Sequence, residues 1–280
     1  MKFLFTKRKF DHYQIVENLI HECMNIYLSV NFYFKKLFGK YSFLKKNINL
    51  KNLHTNKRII IIANGPSINN FDLKKLKDEI IIMVNRSFDH PDYEIIKPNY
   101  HIIVDPKLAT GIWPIDYIDI IFKKNPNVKL ILNASWYHLE KFKKLREKNN
   151  VFWVKNKMIS LLYNNFNNNL ESLYSTLGVT GHAVSLGIYS GSKKIYILGM
   201  ELNGVIKLLN NEKSHFQGFD PDYKNHTILD YAKDLSYNAR GLRLWHTYAT
   251  LCKKNNIELI NLSKEGLFNF VPKEDFNKIF

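Results

Sequence analysis

The sequence contains very little cysteine and none of the common metal or phosphate signatures. Only two cysteines, Cys23 and Cys252, occur among 280 residues, so they provide neither a disulfide framework nor the spacing of a metal site. Two free thiols are typical of a reducing compartment. The chain has no His-Glu-x-x-His, Cys-x-x-Cys or Gly-x-x-x-x-Gly-Lys-Ser/Thr motif, which excludes the usual zinc-protease, zinc-ribbon and P-loop patterns.

Acidic residues are scarce as well, with 25 Asp and Glu against 41 Lys and Arg, and the net charge is +16. The imbalance is concentrated at the start, because residues 1–58 carry 12 Lys and Arg but 3 Asp and Glu. Such a basic region suits an anionic lipid, an acidic substrate or a nucleic acid. No aromatic RNA-binding signature accompanies it, so we expect no nucleic-acid partner.

Long apolar runs are missing from the N-terminal region, although apolar residues recur with helical spacing over residues 10–40. Glu17, His21 and Glu22 interrupt any stretch long enough for a signal peptide or a membrane span. The aromatic and lysine-rich stretch 30–46 is typical of a helix that lies on an anionic membrane surface. A helix packed on the main domain, with a solvated basic face, is the alternative interpretation.

From residue 58 onward, short apolar runs alternate with helical patterns. Six runs resemble strands buried on both faces of a parallel sheet, at residues 58–64, 79–85, 100–105, 128–133, 193–201 and 257–263. Helical patterns occur at residues 73–77, 137–148, 180–190 and 235–255. The alternation predicts an α/β fold with an open, mostly parallel, Rossmann-like sheet and helices on both faces. A long polar stretch predicts a lid over residues 203–234.

Small polar or acidic residues follow most of the predicted strands. They are Asn64, Asn85, Asp105 and Asn133, while a fifth strand ends in Gly199-Met200-Glu201. Ligands of open α/β sheets bind outside the carboxyl ends of the strands, so we expect the first three of these side chains to converge at one edge. Each residue alone is equally typical of an ordinary turn.

Two glycine-bearing loops suit the same edge. In Asn-Gly-Pro-Ser, Gly65 allows close backbone approach and Ser67 can cap a helix or present its hydroxyl to a phosphate. Thr176 and Gly178 precede a helix rich in small residues, and the N-terminus of that helix would attract an anion. The small residues are also explained by a helix that crosses the sheet closely.

These motifs, in this order, resemble the family-42 bacterial sialyltransferases over residues 58–270. The similar segments are Asn-Gly-Pro-Ser, the strand that ends in Asn85, the loop 176–179, the strand 195–201 and the triplet Ser214-His215-Phe216. The resemblance implies a GT-A-like variant of the Rossmann-like fold. The sequence departs from that family at Asp105, where Asn is usual, and at Leu202-Asn203, where a tyrosine is expected.

The resemblance implies a glycosyltransferase that moves a sialic-acid-like sugar from a CMP-sugar donor to a bacterial surface glycan. His215 would be the general base, since an imidazole can take up a proton near neutral pH. The nucleotide and substrate would contact Asn64, Gly65, Ser67, Asn85, Asp105, Thr176, Gly178, Gly199 and Glu201. No metal and no cofactor beyond the CMP-sugar would be needed, and a homo-oligomer is implied.

Two alternatives to this function stay open. A pterin pyrophosphokinase-like group shares a similar Gly-Pro-Ser turn, which would imply phosphoryl or pyrophosphoryl transfer with ATP and Mg²⁺. A non-catalytic nucleotide- or glycan-binding protein is the other. For the organisation we expect a basic amphipathic helical extension (1–57), a catalytic domain (58–270) and a tail (271–280), in a cytoplasmic protein that contacts the inner membrane peripherally.

Overall fold

The computed structural model describes residues 12–160, 172–218 and 226–280. It has an α/β fold built on an open, strongly curled sheet of eight strands, all parallel. The strands are β1 Arg58–Ile62, β2 Ile80–Val84, β3 Tyr100–Ile103, β4 Lys129–Asn133, β5 Val151–Met158, β6 Ser172–Ser175, β7 Lys194–Leu198 and β8 Glu258–Asn261. Their spatial order is β6-β5-β4-β3-β2-β1-β7-β8, so the predicted fold class is confirmed.

The central strands are apolar throughout because both faces of the sheet are covered. In β1, Ile59 and Ile61 belong to the core on one face, while Ile60 and Ile62 belong to the core on the other. All four side chains are fully buried. Continuous burial of this kind is expected of parallel strands with helices on both sides.

Eight α-helices lie among the described residues: α1 His12–Leu37, α2 Tyr93–Ile96, α3 Pro106–Thr110, α4 Tyr117–Lys124, α5 Val179–Tyr189, α6 Gly204–Leu209, α7 Ile228–Lys254 and α8 Phe276–Ile279. Helices α5 and α7 cover one face of the sheet. Helices α2, α3, α4 and α8, with short 3-10 helices, cover the other.

Helix α5 connects the edge strand β6 to β7 by crossing over the sheet, where it contacts β3, β2 and β1. Small residues allow this close approach, because a Cβ atom on Gly187 would lie 3.1 Å from Ile195 Cδ1. The close-packing explanation of the small residues therefore holds for this part of α5.

Two strands were not predicted, and several predicted helices differ. Strand β5 continues past its apolar half into a Lys-Asn-Lys segment, and β6 has only four residues at the sheet edge. The helix predicted over 137–148 contains a 3-10 helix, Glu140–Leu145, and α7 begins seven residues before its predicted start. Residues 161–171 and 219–225 of the predicted loops, and residues 10 and 11 of the N-terminal helix, lie outside the described residues.

The N-terminal region packs against strand β5. The 3-10 helix Ser42–Leu50 contacts β5, and the Asn47 side chain donates a hydrogen bond of 2.8 Å to the Trp153 carbonyl oxygen. The division of residues 1–57 from the catalytic domain, as a separate extension, stays a prediction. Among the described residues, none of the helices has the length and apolar character that crossing a bilayer requires.

Candidate active site at the carboxyl edge of the sheet

The strand order creates a crevice between β1 and β7. The chain builds the sheet from β1 towards β6 in one direction and places β7 and β8 on the other side of β1. The segment after β1 packs on one face of the sheet, and the long helix α7 after β7 packs on the other. Ligands of open α/β sheets bind at such a switch point.

A network of hydrogen bonds, here called the brace, holds the turn after β1. Gly65 N donates to the Gly199 carbonyl oxygen at 2.8 Å, and Ser67 N donates to Glu201 Oε1 at 3.1 Å. Ser263 Oγ accepts from Gly199 N at 3.0 Å and lies 3.1 Å from Ser67 Oγ. The brace therefore consists of Gly65, Ser67, Gly199, Glu201 and Ser263.

Gly65 is required by this packing rather than by its dihedral angles. A Cβ atom at this position would lie 1.7 Å from Glu201 Oε2 and 2.5 Å from the Gly199 carbonyl oxygen. Glu201 itself is buried, with 4% of its surface exposed. The carboxylate predicted to bind substrate thus lies behind the turn, with one oxygen bonded to the backbone.

Next to the brace, four buried side-chain oxygens have no hydrogen-bond partner in the part of the chain that the structure describes. These open oxygens are Asn64 Oδ1, Asn85 Oδ1, Thr176 Oγ1 and Ser214 Oγ. An unpaired buried polar atom costs about 1–3 kcal/mol, and native proteins keep few of them. Such a group is expected where a ligand or an ordered water completes the hydrogen bonds.

His215 is brought to the ends of β1 and β2 by its neighbours. Phe216 N donates to the Asn64 carbonyl oxygen at 3.0 Å, and Gln217 Nε2 donates to the Arg86 carbonyl oxygen at 3.0 Å. His215 and Gly218 exchange backbone hydrogen bonds, which closes a tight turn. The half-buried imidazole is thereby positioned at the carboxyl edge of the sheet.

Beside His215 lies a cavity of about 300 Å³ between the loops after β6 and β7 and one face of α7. Its lining is Thr176, Leu177, Gly178, Thr180, Met200, Leu202, Gly204, Val205, Leu208, Ser214, His215, Asp234, Tyr237, Asn238, Gly241 and Trp245. Among the described residues, no Lys or Arg lines it. The N-terminus of α5, whose N-cap residue is Gly178, opens at the cavity and favours negative charge there.

The predicted site residues divide into three groups. Thr176, Gly178 and His215 line the cavity together. Asn64, Gly65, Ser67, Gly199, Glu201 and Asn85 lie at the adjoining ends of β1, β7 and β2. Asp105 follows β3, the neighbour of β2, and its carboxylate caps α3 by accepting from Lys107 N at 3.0 Å. The roles assigned to these residues stay predictions.

A buried histidine holds the turn that carries Asn85. His101 Nε2 donates to the Asn85 carbonyl oxygen at 2.8 Å, and its Nδ1 lies 3.1 Å from Tyr93 Oη. Asn85 has a φ of 46°, in the left-handed region. Burial lowers the pKa of His101 to about 4, so the imidazole is neutral near pH 7. His101 therefore positions Asn85 without adding charge.

Several residues at this edge were not predicted from the sequence. Asp234, Asn238, Gly241 and Trp245 occur at helical spacing on α7, and this polar and small stripe could have identified the cavity wall. Ser263 follows β8 in the same way that Asn64 follows β1. The predicted absence of a metal site stays a prediction.

Comparison with known families overturns the resemblance drawn from the motifs. A family model described as "6-hydroxymethylpterin diphosphokinase MptE-like" matches residues 35–205, more than half of the chain. No curated protein matches the chain. The matched segment runs from the end of α1 to the start of α6 and includes seven of the eight strands.

The assignment to family-42 sialyltransferases is therefore wrong, as are the glycosyltransferase activity and the CMP-sugar chemistry inferred from it. The error has a physical reason. A Gly-Pro-Ser turn and a helix N-terminus at a switch point suit many phosphate-bearing ligands, so they do not discriminate among nucleotides. The pyrophosphokinase alternative is the better supported one.

Proposed function

The chain belongs to the MptE-like family of 6-hydroxymethylpterin diphosphokinases, and on that basis we propose that it transfers a pyrophosphoryl group from a nucleoside triphosphate to the hydroxymethyl group of a pterin-like acceptor. The observation that carries the proposal is the family match, which includes the Asn-Gly-Pro-Ser turn, the N-terminus of α5 and the loop after β7. The crevice and its cavity support it as the reaction site.

In this reaction the acceptor hydroxyl oxygen attacks the β-phosphorus of the nucleoside triphosphate. The bond from that phosphorus to the oxygen shared with the α-phosphorus breaks, and the nucleoside monophosphate leaves with the electron pair. His215 takes the proton of the hydroxyl group. Catalysis of this kind depends chiefly on positioning and on stabilising negative charge.

Among the described residues, the charge of the pyrophosphoryl group is met by backbone groups rather than by cationic side chains. The described lining residues include no Lys or Arg, and the N-terminus of the eleven-residue helix α5 supplies positive partial charge at the cavity. The open oxygens supply the remaining polar contacts. Thr176 and Ser214 hydroxyls can donate to phosphate oxygens, and the amide groups of Asn64 and Asn85 can bind the acceptor or the nucleotide.

Mg²⁺ commonly accompanies a nucleoside triphosphate, and the cavity lining offers a carboxylate that could bind it together with the phosphates. Among the described residues no cluster of three or more His, Cys, Asp or Glu could hold a metal ion alone. Mg²⁺ is often bound by one or two carboxylates together with substrate phosphates, and Asp234 in the cavity wall can be one of them. When bound, the ion would neutralise charge on the phosphate oxygens.

The test is the identity of the products. With 6-hydroxymethylpterin, ATP and Mg²⁺, we expect AMP and an acceptor diphosphate in equal amounts, measured by chromatography and ³¹P NMR. Formation of ADP, or turnover of a CMP-sugar with no AMP from ATP, would contradict the proposal. Binding of ATP without any AMP release would also contradict it and would favour a non-catalytic nucleotide-binding protein.

The location of the site can be tested separately by filling the cavity. Gly241 lies in the wall, and the nearest atom to a Cβ there is the Thr176 carbonyl oxygen at 3.6 Å. Gly241→Leu should lower kcat/KM by about tenfold or more while α7 remains intact, because Leu favours helix over Gly. Ser236→Leu, on an exposed position of α7, is the matched control. An unchanged kcat/KM for Gly241→Leu would exclude the cavity.

We further propose that the reaction takes place in the cytoplasm. Nucleoside triphosphates are available there, and the two free cysteines, of which Cys23 is exposed, suit a reducing compartment. Cell fractionation with an antibody against the chain would check this, and recovery outside the cytoplasmic and inner-membrane fractions would contradict it.

A further inference from the structure

Helix α1 has the reverse of the usual burial pattern, because polar side chains face the protein. Asn18, His21, Glu22 and Asn25 are buried, with 2–9% of their surface exposed. His21 Nε2 donates to the Ile159 carbonyl oxygen at 2.7 Å, and its Nδ1 accepts from the Arg240 guanidinium at 2.8 Å. Hydrogen bonds, rather than an apolar stripe, therefore fix this face of the helix.

The outward face of α1 is apolar from Val16 to Leu37. Between 54% and 84% of the surface is exposed for Leu19, Ile20, Tyr27, Val30, Phe34 and Leu37. At about 1.5 Å per residue, the 26-residue helix is about 39 Å long. A contiguous apolar face of this extent is unusual on a monomeric protein and indicates an interaction surface.

Charge distinguishes among the surfaces that could cover this face. The two acidic residues of the described helix are turned inward: Glu17 pairs with Arg243, and Glu22 Oε2 accepts from Ser160 Oγ at 3.1 Å. Basic residues occur at both ends, with Lys2, Lys7, Arg8 and Lys9 before the helix in the sequence and Lys35, Lys36, Lys40 and Lys45 at its end and beyond. Apolar surface flanked by lysines complements an anionic bilayer.

We propose that α1 lies in the plane of an anionic membrane, with its outward face among the acyl chains and Lys35, Lys36 and Lys40 at the headgroups. A second copy of the chain is a poorer occupant, because it would bring the same basic residues and a net charge of +16 to the contact. The proposal does not depend on the proposed pyrophosphoryl transfer.

Flotation of the full chain with vesicles tests this. We expect the protein to float with vesicles of phosphatidylcholine mixed with phosphatidylglycerol, and far less with phosphatidylcholine alone or in high salt. Ile20→Glu/Phe34→Glu should lower the partition coefficient by about tenfold or more. The matched control is Ile95→Glu/Ile112→Glu, which changes two exposed isoleucines outside α1 and should float like the native chain.

A native cysteine gives a second measurement on the same surface. Cys23 is exposed on the outward part of α1, whereas Cys252 is buried, so a polarity-sensitive thiol label will report on α1. Its emission should shift to the blue with anionic vesicles. Unchanged emission and equal flotation of both double variants would overturn the proposal. So would a dimer that dissociates in Ile20→Glu/Phe34→Glu while no form of the protein floats.

Discussion

The brace and the open oxygens lie side by side in the crevice, but the polar groups of the brace are hydrogen-bonded whereas the open oxygens are not. In the brace, Ser67 N and Gly199 N each find a side-chain acceptor within the protein. Thr176 Oγ1 and Ser214 Oγ are just as deeply buried and find none in the described part of the chain.

This difference indicates that, at one edge of the sheet, some polar groups stabilise the fold and others serve binding or catalysis. Paired groups stabilise the fold because breaking them leaves a buried partner unsatisfied. Unpaired groups reduce stability and persist where binding or catalysis requires them. Substitutions in the brace should therefore act mainly on the free energy of unfolding, and substitutions around the open oxygens mainly on turnover.

The largest effect is expected at His215, on turnover alone. His215→Ala should lower kcat by about 10²–10⁴-fold, because the acceptor hydroxyl loses the group that takes its proton. Its free energy of unfolding should change by no more than about 0.5 kcal/mol. His246→Ala, at an exposed position on α7, is the control and should retain full kcat. Full activity of His215→Ala would contradict the assignment of the base.

Among the substitutions, Gly65→Ala should have the largest effect on stability. The new methyl group would collide with Glu201 Oε2 and with the Gly199 backbone, so we expect a loss of about 3 kcal/mol in urea-induced unfolding. Gly204→Ala is the matched control, because no atom lies within 4 Å of a Cβ there. Equal stability of the two variants would show that the brace is not rigid.

Acid should destabilise the fold through two buried imidazoles, that of His101 in β3 and that of His182 in α5. Burial lowers the pKa of His101 and of His182 to about 4 in the folded protein. The unfolded chain binds protons near pH 6.5, so stability is lost as pH falls from about 6.5 to about 4, by about 1.4 kcal/mol per pH unit for each histidine.

Unfolding measured across this pH range checks the effect. His182→Gln should reduce the slope by about 1.4 kcal/mol per pH unit, and His246→Gln, at an exposed position, is the control. An equal slope in the native chain, His182→Gln and His246→Gln would show that burial of His182 does not lower its pKa.

The smallest effects are expected for two serine substitutions, Ser263→Ala in the brace and Ser214→Ala at an open oxygen. Ser263→Ala removes hydroxyl contacts to Gly199 N and Ser67 Oγ, so it should cost about 1 kcal/mol of stability. Ser214→Ala removes an open oxygen and should leave stability unchanged or slightly higher, while lowering kcat/KM. Thermal unfolding and steady-state kinetics on the pair distinguish them. A clear loss of stability in Ser214→Ala would show that this oxygen is satisfied in the native protein.

Local pattern was sufficient for much of the fold. The isoleucine runs of β1 and β2 are apolar at every position because both faces are covered, and they were predicted within two residues. Strand β5 was missed because its last four residues, Lys155, Asn156, Lys157 and Met158, are not fully buried and three of them are polar. Strand β6 was missed because a four-residue edge strand has no clear period.

The candidate site was predictable only in part. Residues that follow strands, such as Asn64 and Asn85, could be assigned to one edge because parallel strands all end there. Asp105 follows a strand in the same way, yet it caps α3. The stripe of α7 in the cavity wall was missed because only the packing of α7 shows which of its faces meets the crevice.

The sequence by itself determined that the strands are buried, that they run in parallel, and that small polar residues and glycine turns end them, since these properties depend on neighbouring residues. Tertiary structure decided which groups are paired. The Ser67–Glu201 hydrogen bond joins residues 134 positions apart, and the curl of the sheet brings the loop after β6 to the loop after β7. It also decided that α1 buries its polar face, because the partners of that face, Ile159, Ser160 and Arg240, come from distant segments.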